Sequence, residues 1–369
     1  MYYHKIFKNF CTELEKDWTS LEDNQVAIFS CYNFHYSLNQ YIKKNRNQLY
    51  IYVIYEKETN KSISILPLEK KRSIFGDIYT IHKFQYLDHI QLIYSRNTNI
   101  NCLAEYIVKN IFKGKELFIS AISSKDKLIN LIDKKCFRSF KWINNNRYTI
   151  PNNELDKFFI THKRMTQRVK RSKRKYKLNI ETVEANYEKA CKAIQVHIDF
   201  KVKQFKRTFT RNAFSNKEYI NFIYGFIRKN PKGSLVLTLN SENSNIEAVL
   251  ICFISSSEIC YYQPSYDIKS KVDSPGKVLM EEAIQYAYKI NKTFDFSTGD
   301  ESYKKQYSKN RILLHSYYFS ENRFLNLIHF AKYIILYQKN SRSLLRKIYR
   351  YIKIINSIEI NFVKNLFLH

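Results

Sequence analysis

Three carboxylates, a phenol and an ammonium fall within the eleven residues Phe294-Asp295-Phe296-Ser297-Thr298-Gly299-Asp300-Glu301-Ser302-Tyr303-Lys304. A partly buried carboxylate in such a turn can take the proton of an attacking amine, directly or through a water. Asp300, Glu301 and Tyr303 are therefore the candidate catalytic residues. Asp300 is also placed to cap the helix that follows, and its spacing favours capping over catalysis. Upstream stands Ser274-Pro275-Gly276-Lys277. Ser274 suits a helix cap, Pro275 the first helical position, and Gly276 lets a ligand approach the backbone. Free N–H groups and the positive end of the helix dipole would hold a pyrophosphate there, with Lys277 adding charge. Ser-Pro-Gly also begins helices that bind nothing, so the motif needs the right strands around it.

Those strands are legible. Ser234 to Leu239, Glu247 to Ser255 and Glu258 to Gln263 read as three successive strands, the middle one an unbroken apolar run from Ala248 to Ile254 suited to burial on both faces. Gly276 to Ile290 is a helix with Leu279, Ala283, Tyr286 and Ile290 on its core side. Thr293 to Phe296 is a short strand, Glu301 to Tyr307 a helix and Ile312 to Phe319 a last strand. Before them come a strand, Leu178 to Val183, and two helices, Tyr187 to Phe205 and Lys217 to Arg228. Pro264 cannot donate to a sheet ladder. Were Thr293 to Phe296 parallel beside Tyr261-Tyr262-Gln263-Pro264, the proline would help the pair open into a cleft for a thioester.

Residues 1–150 show the same mixed style, with helices at Lys8 to Leu21, Glu105 to Phe112 and Lys125 to Ile132, and strands at Leu49 to Tyr55, Ser62 to Leu68 and Glu116 to Ile122. Pro151-Asn152-Asn153 marks the expected boundary, giving domains 1–150 and 151–320 and an amphipathic basic extension over 321–369. No short internal repeat is visible. In the extension Leu345, Ile348, Ile352 and Ile355 share one helical face and Arg342, Arg346, Arg350 and Lys353 a neighbouring one. Such a helix either lies on an anionic membrane or packs on the protein itself.

The 369 residues hold 62 Lys and Arg against 33 Asp and Glu, a formal charge of +29 that draws in phosphate-bearing or anionic partners. Abundant Lys, Asn, Ile and Tyr also match the codon bias of an AT-rich genome, so charge alone names no partner. The densest basic tract, His162 to Lys177, lacks acidic residues and several interleaved aromatics. It is a solvated helix, a clamp for a phosphorylated substrate, or a track for nucleic acid. Seven cysteines without a C-x-x-C pair favour free thiols over a disulfide framework or a zinc site, and no metal is expected. The N-terminal residues lack an apolar signal core, and Phe330 to Tyr337 is too short to span a bilayer, so the expected place is the cytoplasm, at most peripheral at the inner membrane face.

The order β-α-α-β-β-β-α-β-α-β with Asp295-Phe296-x-x-Gly299-Asp300-Glu301-x-Tyr303-Lys304 resembles the GNAT acyltransferase superfamily. More narrowly, it is similar to the branch associated with cellulose and exopolysaccharide biosynthesis, whose tandem architecture resembles Fem-type peptidyltransferases. Ile65-Leu66-Pro67-Leu68 and Tyr86-Leu87-Asp88-His89 match the first half loosely, and His197 with Phe200-Lys201 matches a helical motif of the second. The resemblance implies an α/β fold of two GNAT-like domains, each a mixed, splayed sheet flanked by helices. It implies acetyl-CoA or another acyl-CoA as co-substrate, held by Ser274, Pro275, Gly276, Lys277 and Gln263. A small-molecule or glycan acceptor, an amine or hydroxyl, would meet His197, Lys201, Lys304, Arg171 and Arg174. The alternatives are a Fem-like enzyme using aminoacyl-tRNA, and a non-catalytic RNA- or membrane-binding protein that keeps the fold.

Overall fold

The computed structural model describes residues 1–22, 26–42, 47–73, 76–82, 89–136, 139–208, 213–241 and 245–322. The C-terminal amphipathic helix read from the sequence lies outside them, as do Tyr86, Leu87 and Asp88.

The first part of the chain runs β1 (Tyr2–Phe7), α1 (Thr12–Thr19), α2 (Tyr32–Tyr41), β2 (Gln48–Glu56), β3 (Ser62–Ser73), β4 (Gly76–Ile81), β5 (Ile93–Tyr94), α3 (Ile100–Ile107), β6 (Glu116–Ser123), α4 (Lys127–Lys135) and β7 (Ser139–Ile150). Two helices, α5 (Leu155–Thr161) and α6 (Lys163–Lys175), lead into β8 (Lys177–Thr182), α7 (Tyr187–Thr208), α8 (Lys217–Lys229), β9 (Ser234–Asn240), β10 (Ile246–Ile254) and β11 (Glu258–Tyr266). The described chain finishes with α9 (Pro275–Lys289), β12 (Thr293–Thr298), α10 (Ser302–Tyr307) and β13 (Arg311–Phe319). Leaving out the two-residue β5, both halves follow the succession β-α-α-β-β-β-α-β-α-β. The duplication is one of topology, without a repeat in the residues.

The strands form one sheet ordered β1-β2-β3-β4-β6-β13-β7-β12-β11-β10-β9-β8, with β5 beside β3. β4 runs parallel to β6 and β11 parallel to β12, while the other neighbours along this path are antiparallel. The order is a palindrome with an exchange at its centre. β13, the last strand of the second half, pairs with β6 of the first, and β7, the last of the first, pairs with β12 of the second.

Alternation along β10 accounts for burial on both faces. Val249, Ile251 and Phe253 join a cluster with α7 and α8, whereas Ala248, Leu250 and Cys252 join one with α9. On α9, Leu279 and Ala283 are fully buried, with Tyr286 and Ile290 packed at the margin. α6 turns Met165 and Val169 inward against this cluster's side, and Lys163, Arg164, Lys170, Arg171 and Arg174 outward. Among the described residues no helix is long and apolar enough to cross a membrane.

Candidate active site

β11 and β12 pair at three positions only, Glu258 with Thr293, Ile259 with Phe294 and Cys260 with Asp295, and then part. This is the cleft anticipated from the sequence, but Pro264 is not its cause. The strands separate directly after Cys260, where the β10–β11 register slips between Ile251 and Cys252 so that β11 carries one extra residue. A bulge bends the strand that bears it. Pro264 lies farther along, opposite Leu250 on the β10 side. β12 departs as well: its register with β7 slips between Asp295 and Thr298, and Ser297 takes a left-handed φ of 63°.

The start of α9 stands at the open end of this parting. Pro275 occupies the first helical turn as expected, and Ser274 is the N-cap residue. Its hydroxyl, however, makes no cap bond to the helix; Ser274, with φ 52°, donates to Asp273 instead. The Ser274 carbonyl accepts the N–H groups of Lys277 and Val278. A Cβ built on Gly276 would meet only the Tyr266 ring, at 3.7 Å, so the glycine keeps the approach open rather than relieving a clash. From Tyr266 back to Cys260 is six strand residues, about 20 Å. A cavity of about 570 Å³ adjoins this end of the cleft, lined by Arg164, Arg168, Arg171 and Lys271 together with Tyr176 and Asp273. A second, of about 650 Å³, takes in Lys277, Glu281 and Arg168. Arg168 pairs with buried Glu281 at 3.3 Å, and the Tyr307 hydroxyl donates to the same carboxylate at 2.7 Å. Burial holds the Glu281 carboxyl above its usual range, while Tyr307 and Arg168 pull the other way. Clustered cations, a helix start and a parted strand pair fit a donor with phosphates at one end and a long thin arm.

The acidic turn is a clasp. Gly299 has φ 126°, and a Cβ there would collide with the Glu301 carboxylate folded over it. Lys304, only 3% exposed, donates to the carbonyls of Ser297 and Thr298 and pairs with Glu301 at 3.0 Å. Asp300 does not cap α10, because the N-cap residue is Glu301, itself without a side-chain cap bond. The turn at Gly299 starts the helix one residue later than the spacing implied. Asp300 instead accepts from the Tyr148 hydroxyl at 2.8 Å and from Lys305 at 3.0 Å, and these bonds lower its pKa. Glu301 is half-exposed, and Tyr303 packs at the edge of the α9 cluster.

The remaining sequence candidates are spread out. Arg171 and Arg174 lie on the outer side of α6, and Gln263 is half-buried in β11. His197 is fully buried on α7 with its ring edge-on to Phe214, 5.3 Å away, and burial, then Lys201, keeps its pKa well below the usual value. Burial brings the Lys201 ammonium down to about 8.

A constellation that sequence reasoning missed lies where β11 and β12 still touch. Arg147 of β7 reaches Glu258 through Nη2 and Asp295 through Nε, the latter at 3.1 Å. His89 stands on the far side of both carboxylates, Nε2 3.6 Å from Glu258 Oε1 and Nδ1 3.9 Å from Asp295 Oδ2. All four are buried, His89 to 2% exposure and Asp295 to 0%. Burial opposes ionisation of Glu258, yet Arg147 and then His89 outweigh it and hold the carboxyl at about 2. His89 packs edge-on against Phe29. Together with Arg147 and Glu258 it lines a cavity of about 640 Å³.

Residues 162–305 match the family model of the acetyltransferase (GNAT) domain. The match runs from α6 into α10, and so takes in both the α9 start and the acidic clasp. No curated protein sequence matches the chain. Among solved structures the chain is similar to FemX, at 9% identity over 85% of this chain and 97% of that one, with a TM-score of 0.59. It is also similar to the C-terminal domain (DUF2156) of a protein assigned as a lysylphosphatidylglycerol synthetase from Agrobacterium fabrum, at 11% identity over 87% and 96%, TM-score 0.55. L-PGS from Bacillus licheniformis aligns at 12% identity over 87% and 96%, TM-score 0.54. Identities this low establish the fold alone: a GNAT fold over residues 162–305, within an architecture shared with these structures over most of the chain. None of these similarities bears out the narrower cellulose-type branch.

Proposed function

We propose that the chain is an acyltransferase that moves an acyl group, acetyl in the simplest case, from a CoA thioester to an amine or hydroxyl such as one on a sugar. The observation that carries this reading is the parting of parallel β11 and β12 just beyond Cys260 and Asp295, with the α9 start at the open end. In this reading the phosphates lie among Gly276, Lys277, Arg164, Arg171 and Lys271, and the arm runs inward along the cleft, where backbone groups freed from the ladder face the thioester carbonyl. Ser274, Pro275 and Gln263 belong to the same donor path. Calorimetry with CoA should give saturable one-to-one binding; no heat at millimolar CoA would defeat the proposal.

The outward cations of α6 favour a second reading, in which the donor is an aminoacyl-tRNA whose backbone follows Lys163, Arg164, Lys170, Arg171 and Arg174. Binding to tRNA that weakens steeply with salt, in a protein with no affinity for CoA, would select it. Attachment to an anionic membrane through residues 321–369 belongs to either reading and is tested by vesicle co-sedimentation with and without that segment.

A further inference from the structure

The Arg147–Glu258–Asp295–His89 group lies on the opposite face of the sheet from α9. Ile259 and Phe294 point into the α9 cluster, while Cys260, the register partner of Asp295, belongs to the α7 and α8 cluster. By alternation Glu258 and Asp295 share the side of Cys260. The cavity on that side touches the sheet at Glu258, the first of the three β11–β12 pairs and two pairs before the strands part. Its floor is His89, Arg147 and Glu258, and its rim includes the exposed side chains of Arg96, Lys125 and Lys127.

Charge counting sets what the floor wants. Counting Asp295, buried just behind the floor and held by Arg147, two carboxylates against one guanidinium leave one excess negative charge while His89 is neutral. The His89 nitrogens face Glu258 Oε1 and Asp295 Oδ2 at 3.6 and 3.9 Å, beyond full hydrogen-bond distance, and none of these four atoms has a closer partner among the described residues. Buried polar groups left in this state are unusual and costly. The nearby Asp126 carboxyl, also in the lining, is engaged by the N–H groups of Leu92 and Ile129. One further positive charge would balance the floor. A dication would have to lodge beside Arg147, which already engages both carboxylates, whereas an ammonium or a proton on His89 fits the arrangement as it stands.

We propose that this cavity is the acceptor pocket, that it takes a primary amine bearing an anionic group, and that His89 accepts the amine's proton. The inference rests on the acyltransferase reading. The acceptor enters as an ammonium drawn by the floor, with its anionic group at the rim of Arg96, Lys125 and Lys127. His89 takes one proton and becomes imidazolium between Glu258 and Asp295. The freed nitrogen lone pair forms the C–N bond as the thioester C–S bond breaks. A second N–H proton goes to the departing thiolate, and His89 later returns its proton to solvent. The two substrates thus approach the β11–β12 pair from opposite faces of the sheet.

The test uses the full chain without any acyl donor. The His89 ring resonances are followed by NMR as O-phosphoethanolamine is added, with ethyl phosphate as the counterpart that lacks the amine. O-phosphoethanolamine should shift the His89 signals and bind at least tenfold more tightly than ethyl phosphate. Glu258→Gln should abolish that preference, and Lys125→Ala with Lys127→Ala should weaken both probes. Equal shifts with the two probes, no shift at millimolar concentration, or micromolar Mn²⁺ binding that broadens the His89 signals would each overturn the proposal. CoA calorimetry on the same protein separates it from the underlying reading. Amine binding without CoA binding sinks the transferase, and CoA binding without amine binding sinks the pocket. In turnover, His89→Gln should lower kcat about a hundredfold with CoA affinity intact; a kcat within threefold of wild type would exclude His89 as the base.

Discussion

Arg147 and Asp295 meet at 3.1 Å across the β7–β12 pair, joining a guanidinium from the first half of the chain to a carboxylate from the second. Their pairing, with Glu258 on the same guanidinium, buries charge at the place where the two halves share their sheet. A buried ion pair is a poor source of net stability, but removing one member is costly because the other remains stranded.

Arg147→Met should accordingly destabilise the protein by about 3–5 kcal/mol, read as a lowered urea midpoint at unchanged slope. Pairing the substitution with Glu258→Gln should recover part of the loss. A shift below about 1 kcal/mol would mean that the carboxylates find compensation elsewhere.

The low pKa of Glu258 has a defined pH signature. Its carboxyl is held at about 2 against an ordinary 4.5, so the unfolded chain binds the proton first as the pH falls. The stabilisation is whole above about pH 4.5 and drains away toward pH 2, on the order of 3 kcal/mol in total. Urea melts across that window should show Glu258→Gln losing less stability on acidification than the wild type.

Gly276→Val probes the donor end. An added Cβ meets only Tyr266 at 3.7 Å, so the protein should fold and melt within a few degrees of wild type while its CoA affinity falls at least tenfold. Lys277→Ala removes a screened charge and should weaken CoA two- to threefold. A folded Gly276→Val protein with wild-type affinity would move the donor site elsewhere.

Neutralising Arg164 and Arg171 should raise the donor KM about tenfold, with a reduced salt dependence, and leave the acceptor KM near wild type. Both guanidiniums line the cavity beside the α9 start, on the other side of the sheet from the His89 cavity. A rise confined to the acceptor KM would reassign α6 to acceptor capture.

Glu301 and His89 are rival bases that kinetics can separate. Glu301 is half-exposed and tied to Lys304, so Glu301→Gln should keep kcat within about threefold and show its effect in stability, by about 1 kcal/mol. Lys304→Met, which strands the Ser297 and Thr298 carbonyls, should cost about 1–3 kcal/mol. A hundredfold loss of kcat in Glu301→Gln would restore it to the chemistry.

Much of the fold could be read from local pattern. The apolar run of β10, the spacing on α9 and the Pro275-Gly276 helix start all express interactions within a few residues of themselves, and each lies where its pattern placed it. Edge strand β1 and the four-segment ionic floor were not legible, because each depends on partners dozens to hundreds of residues away. One signal was present. Asp295 sits between Phe294 and Phe296 in a short apolar strand, and a carboxylate so placed demands a buried cation or donor. Nothing local identified Arg147 or His89 as its partners. Asp300 misled for the opposite reason: its spacing to α10 fits a cap, but Gly299 swings the chain so that Asp300 faces β7 instead.

The exchange of last strands also dictates an order of assembly. β6 cannot acquire its β13 neighbour until some 190 residues further along have been made, so the amino-terminal half leaves the ribosome with an open edge that only the end of the described chain can close. Contacts this distant in sequence slow folding and prolong the exposure of unpaired edges. Cutting the gene near codon 150 would therefore yield two fragments that each lack a strand the other carries, and their recovery as a mixed pair from co-expression would follow from the weave of the sheet itself.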